Sequence, residues 1–178
     1  MRASLATRIG LPARTGDILR RISVFLILLV ICLFFALGSE DFLTPSNLLN
    51  VALQTSILII VATGMTFTIL TAGIDLSVGS LMALGGAVAA GMAVQQGLGT
   101  WAGIGIALLV GMALGAVNGL LVVRGGMPPF VATLAMMAVA RGLTLVYTEG
   151  RPIAGLDESF IYWGTGQLWG IPVPVILM

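Results

Sequence analysis

The chain of 178 residues contains no lysine and no histidine, a single cysteine, and few charges of either sign, eight Arg against seven acidic residues. Each absence closes a class of chemistry. Without Lys, a glycine-rich phosphate loop ending in Lys-Ser/Thr cannot be built. Without His, imidazole metal sites and Ser-His or Cys-His nucleophilic pairs are excluded. Cys32 has no second cysteine to pair with, and its place in an apolar run suits a small hydrophobe. No catalytic residue, metal ligand set or cofactor site is therefore assigned. The shortage of charge decides the class. Soluble domains carry about 25% charged residues, whereas this chain carries 8%, with 58% hydrophobic residues and a mean hydropathy of +1.12. Such a composition cannot clothe a water-facing surface. It describes an all-α polytopic membrane bundle.

What charge there is lies at informative places. Residues 1–21 hold Arg2, Arg8, Arg14, Arg20 and Arg21 against Asp17, a basic segment that the positive-inside rule keeps in the cytoplasm. The membrane domain is expected over 22–178. Ile22–Ser39 is uncharged for 18 residues, near the ~20 that cross ~30 Å of hydrocarbon. Ala36-Leu37-Gly38 mimics a signal-peptide cleavage site and Arg20-Arg21 a twin-arginine signal, but the chain beyond them is more membrane and not an exported domain. Glu40 and Asp41 mark the far side. Thr44-Pro45-Ser46-Asn47 is a helix-start signature, opening a second span from Leu48 to about Leu70. Leu76–Val123 is free of charge and at 1.5 Å per residue too long for one crossing, so two spans are expected, Val78–Val94 and Trp101–Val123. Arg124 to Pro129 forms an inner loop, and a fifth span runs from Phe130 to about Tyr147. Trp169 opens another apolar run, and the expectation is five complete spans plus the start of a sixth, the N-terminal part of a longer protein.

Within this apolar background Asp75 is the only ionisable residue between Asp41 and Arg124. A carboxylate there needs a partner, water or backbone donors. Gly73 and Gly79 permit unusual backbone geometry, and Ser77 and Ser80 offer hydroxyls. Two readings stay open: Asp75 caps the third helix in a wetted turn, or it lines a path through the membrane and accepts hydrogen bonds from a solute. Arg141 is the second intramembrane charge; it snorkels to headgroups or pairs inside the bundle. Asn118 suits a hydrogen bond across helices, and Thr133 suits either a bond back to its own helix or a place on a path. Small residues recur every four positions: Gly79, Ala83, Ala87 and Gly91 in the third span, Gly103, Ala107, Gly111, Gly115 and Gly119 in the fourth. Such stripes let helix backbones approach closely in lipid. Tyr147, Tyr162, Trp163 and Trp169 cluster around the polar segment 149–168, as an interfacial belt would.

The run Thr71-Ala-Gly-Ile-Asp75-Leu-Ser77-Val-Gly79-Ser80 resembles the signature of the bacterial ATP-binding-cassette permeases for monosaccharides, the ribose, xylose, arabinose and galactose group. A second block agrees: Phe130-Val131-Ala132-Thr133-Leu134-Ala135-Met136-Met137, Arg141-Gly142-Leu143-Thr144 and Val146-Tyr147-Thr148. The resemblance extends over about Ser46 to Met178. It implies a subunit of the bacterial inner membrane that pairs with a second permease copy, receives sugar from a periplasmic binding protein and is driven by a cytoplasmic ATPase. The segment 149–168 is then a candidate part of the dock for the binding protein. From the residues alone, an ion-coupled secondary transporter, a channel or a non-transporting membrane fragment stays open.

Overall fold

The computed structural model describes residues 13–178, with side chains from residue 22. The Arg-rich segment expected over 1–21 falls outside the described residues as far as residue 12. Its remainder is already helical. α1 spans Ala13–Gly38, nine residues earlier than the uncharged run: nothing between Pro12 and Pro45 removes a helical N–H. α2 comes next, over Pro45–Leu70. Its start is built as the sequence suggests, with Pro45 at the first helical position, where a missing N–H costs nothing. The Thr44 hydroxyl accepts the Asn47 N–H at 3.3 Å, and the Asn47 side chain donates to the Phe42 carbonyl at 2.8 Å.

The chain divides into two compact units at Val51/Ala52. The first holds α1 and the start of α2, and its loop is packed by Phe35 stacked on Phe42 at 5.8 Å. The second contains the rest of α2, then α3 (Val78–Val94), α4 (Thr100–Val123), α5 (Pro129–Thr148) and the short α6 (Glu158–Thr165). α2, α4 and α5 are long and apolar enough to cross a membrane, and Ile22–Gly38 and Val78–Val94 are shorter apolar helices. The result is a helical membrane bundle.

α3 is the hub of the second unit, packed against both α4 and α5. Leu84, Val88 and Ala140 form its buried core. Two glycines decide how close these helices come. A Cβ at Gly103 would land on the backbone of Ala89, and one at Gly91 on the ring of Tyr147. The small-residue stripes therefore set the crossing at the end of the bundle near the α3–α4 turn. Along the rest of α4 they do not: at Gly111, Gly115 and Gly119 a Cβ would meet nothing. Tyr147, next to last in α5, lays its ring in the space at Gly91, against the core. Trp163 instead meets Trp101 edge-on at 5.1 Å, and the Ser159 and Thr100 hydroxyls share a bond of 2.8 Å. These contacts fold α6 onto the start of α4.

The run expected to open a sixth span at Trp169 begins with a hairpin. β1 (Gln167–Leu168) pairs antiparallel with β2 (Ile171–Pro172) through Trp169 and Gly170, which have φ of 54° and 80°, the left-handed pair that a two-residue hairpin turn requires. Trp169 stands 92% exposed at its tip. Helix resumes only as α7, Val173–Leu177.

A hydrogen-bonded helix break as the candidate functional site

Between α2 and α3 the chain is non-helical over residues 71–77. α2 ends with the Gly73 N–H on the Thr68 carbonyl at 3.0 Å and the Ala72 N–H on the Ile69 carbonyl at 2.9 Å. This paired ending places one residue in the left-handed region, usually glycine. Here it is Ala72, with φ 55°. Gly73 is the next residue, buried against Thr68 and Pro129.

Asp75 turns toward the start of α3. Its Oδ1 accepts the Ser77 backbone N–H at 2.8 Å and the Ser77 hydroxyl at 2.6 Å. Ser77 is wholly buried. The Asn118 Nδ2 of α4 donates to the Ser77 Oγ at 3.1 Å. A hydroxyl has one proton, so with the carboxylate taking it the lone pairs of Ser77 face the amide. From α5, the Thr133 hydroxyl donates to the Pro129 carbonyl at 2.8 Å, with the Ile74 carbonyl at 3.2 Å sharing the same proton. It accepts the Leu76 N–H at 3.2 Å. Three separate stretches of sequence thus meet at one break. Asn118 Oδ1 is the one buried side-chain oxygen or nitrogen left without a partner among the described residues.

The position of the break along the bundle is set by its partners. Asn118 stands five residues before the end of α4 and Thr133 four residues after the start of α5. At 1.5 Å per residue the break lies about 6–8 Å inside those helix ends. α3, with 17 residues, is shorter than α4, with 24. Irregular backbone at such depth is tolerated only where it is enclosed by protein or lines a cavity, and the break meets the second condition. Asp75 is half-buried and lines an open groove of about 680 Å³ between α2, α3 and α4, with Thr68, Gly64, Gly85 and Met112 among its walls. Since Oδ1 takes both bonds from Ser77, Oδ2 has no bond within the described residues.

Arg141 is not brought into this cluster. It is exposed on α5 and lines a separate cleft of about 340 Å³ with Gly79, Ser80, Ala83, Thr144 and Leu145. The two cavities share no residue, and no ion pair joins Asp75 to Arg141. Of the remaining motif residues, Gly79 and Ser80 open α3, whereas Gly111, Gly115 and Gly119 lie along α4, Gly111 on the wall of the Asp75 groove and Gly119 next to Asn118. Sequence reasoning passed over Ala72, because nothing in an alanine announces a left-handed conformation.

Residues 47–162 match the family described as the permease component of the branched-chain amino acid transport system. The chain belongs to this family. Among its relatives, the ribose import permease protein of Bacillus subtilis (strain 168) is 45% identical over 163 residues, covering 90% of this chain and 50% of the relative. The D-allose transport system permease protein of Escherichia coli (strain K12) is 39% identical over 152 residues, 85% of this chain and 47% of the relative. The L-arabinose ABC transporter permease protein of Azospirillum brasilense is 32% identical over 165 residues, 92% of this chain and 48% of the relative. The chain spans about half the length of the curated relatives it matches. No solved structure matches it. Membership of this permease family and the apolar helices together make it a multi-pass membrane protein.

Proposed function

We propose that this chain is the N-terminal half of the membrane-spanning subunit of a monosaccharide importer driven by ATP. The carrying observation is the match along nearly the whole chain to permeases named for ribose, allose and arabinose. In this reading it contributes five complete spans, with α7 opening a sixth, and its N-terminus is cytoplasmic. The break then lies toward the cytoplasmic side. The chain does no bond-making chemistry. A separate cytoplasmic ATPase supplies the energy, a periplasmic binding protein delivers the sugar, and a second permease copy completes the path.

The roles of the polar residues rest on what each can donate or accept. The Asp75 carboxylate is the acceptor presented to sugar hydroxyls, through the oxygen left free. Ser77, Asn118 and Thr133 hold it and the surrounding backbone in place. Arg141, which has only donors, serves the path from another face. The polar segment 149–168, folded over the α4 start through Ser159 and Trp163, presents the exposed Glu149, Asp157 and Glu158 to the binding protein.

The test is reconstitution of the complete permease in proteoliposomes with a cassette ATPase and a sugar-binding protein from the same organism. Uptake of labelled D-ribose, D-allose or L-arabinose is expected to need both ATP and the binding protein. Uptake by the permease alone, driven by an ion gradient, would replace this reading with a secondary transporter.

A further inference from the structure

A second polar site lies on the opposite side of α3 from the Asp75 groove, and it is harder to reconcile with lipid. Arg141 is the thirteenth of the 20 residues of α5, about 18 Å along the helix from Pro129 and about 10 Å from its other end. Side chains on a helix lean toward its N-terminus, so the guanidinium is carried away from the nearer end and back along the helix. Gly79 and Ser80 of the cleft belong to the first turn of α3 and Ala83 to the next, while Thr144 and Leu145 lie one turn beyond Arg141 on α5, so lining residues flank Arg141 on both sides. Outward snorkelling to headgroups runs against this geometry.

The cleft holds unused polar capacity of both kinds. Among the described residues the Ser80 hydroxyl and the Arg141 guanidinium have no hydrogen-bond partner. Thr144 spends its proton on the Ala140 carbonyl at 2.8 Å, which leaves its oxygen as an acceptor. Gly79 and Ala83 keep the floor low. A permanently charged side chain at this depth requires water or a polar partner, and a volume of about 340 Å³ falls within the roughly 300–1,000 Å³ of small-molecule sites. No carboxylate lines the cleft, so nothing there neutralises Arg141 or demands a cationic ligand.

We propose that the α3–α5 cleft formed by Gly79, Ser80, Ala83, Arg141 and Thr144 is a water-filled site at mid-membrane depth that takes an uncharged polyhydroxy ligand. The guanidinium donates to ligand oxygens, the Thr144 hydroxyl oxygen accepts from a ligand hydroxyl, and Ser80 does either. The wet cleft stands on the position of Arg141; the ligand class rests on the proposed importer function.

Thiol accessibility separates the two. With every native cysteine of the complete permease, Cys32 among them, replaced by Ser as a thiol-free background, single cysteines are placed by Ser80→Cys and Thr144→Cys, with Val139→Cys as the control, about 200° round α5 from Arg141. Protein in native membranes is treated with a charged, membrane-impermeant methanethiosulfonate. Reaction needs a thiolate and therefore water, so the cleft positions are expected to react at least about tenfold faster than the control. Millimolar D-ribose, D-allose or L-arabinose is expected to slow them. Equal, slow reaction at all three positions overturns the wet cleft, whatever the uptake assay finds. Fast reaction that no sugar slows overturns the ligand class while leaving the importer reading to its own test. If Ser80→Cys does not reach the membrane, Ala83→Cys reports the same wall.

Discussion

At the residue scale, the site turns on how one carboxylate is satisfied. Both bonds to Oδ1 come from Ser77, and Ser77 is in turn held by Asn118. Ser77→Ala removes a charge-assisted hydroxyl bond and strands the Asn118 amide, nine-tenths buried. It is expected to cost about 1–3 kcal/mol of stability, read by thermal or denaturant unfolding in detergent. Because the two side chains are in series, Asn118→Ala made in the Ser77→Ala background adds little, and the coupling in the double-mutant cycle is expected at about 0.5–3 kcal/mol. Independent, additive losses would show that no chain of bonds exists. Ala72 offers the opposite case. A left-handed conformation is costly for any residue with a Cβ, so Ala72→Gly is expected to raise stability by up to about 1 kcal/mol, the larger flexibility of glycine in the unfolded chain offsetting the rest.

The same glycine residue has different meanings at different points of an element. Along α4, Gly103 faces the Ala89 backbone, whereas Gly115 faces open space. Backbone cannot step aside as a flexible side chain can. Gly103→Ala is therefore expected to push α3 and α4 apart and cost about 1–3 kcal/mol. Gly115→Ala is expected to be neutral or to stabilise by up to about 1 kcal/mol through helix propensity. Parallel unfolding curves of the two variants decide this, and equal losses would mean that the stripe packs along its whole length. The stripe was legible in the sequence as a four-residue period. Which of its members carry the contact was not, because period reports a face and says nothing of where along that face a neighbour crosses. Thr133 shows the same limit. Its hydroxyl was recognisable as a group that bonds back to its own helix, and it does so at Pro129. That it also receives the Leu76 N–H, 57 residues away in sequence, depends on how α5 lies against the break.

For the whole molecule, sign and placement of charge carry the testable content. If segment 149–168 meets the binding protein, reversing Glu149, Asp157 and Glu158 in the complete permease is expected to weaken binding-protein-stimulated ATP hydrolysis several-fold, with the lost on-rate growing as ionic strength falls. Stimulation that stays unchanged at low salt removes the segment from that interface.

Composition and order along the chain were enough to determine a membrane protein made of helices, because 8% charged residues leave no other solvent it can face. The Asp75 run and the block from Phe130 to Thr148 were enough to indicate the permease family. What they left open was which residues of other helices reach Asp75 and the fate of the apolar run after Trp169. Those were decided in three dimensions. Whether an acid near a helix end sits in water or inside a bundle depends on which residues of neighbouring helices reach it, here Asn118 and Thr133, and such long-range pairings leave no period or motif in the sequence.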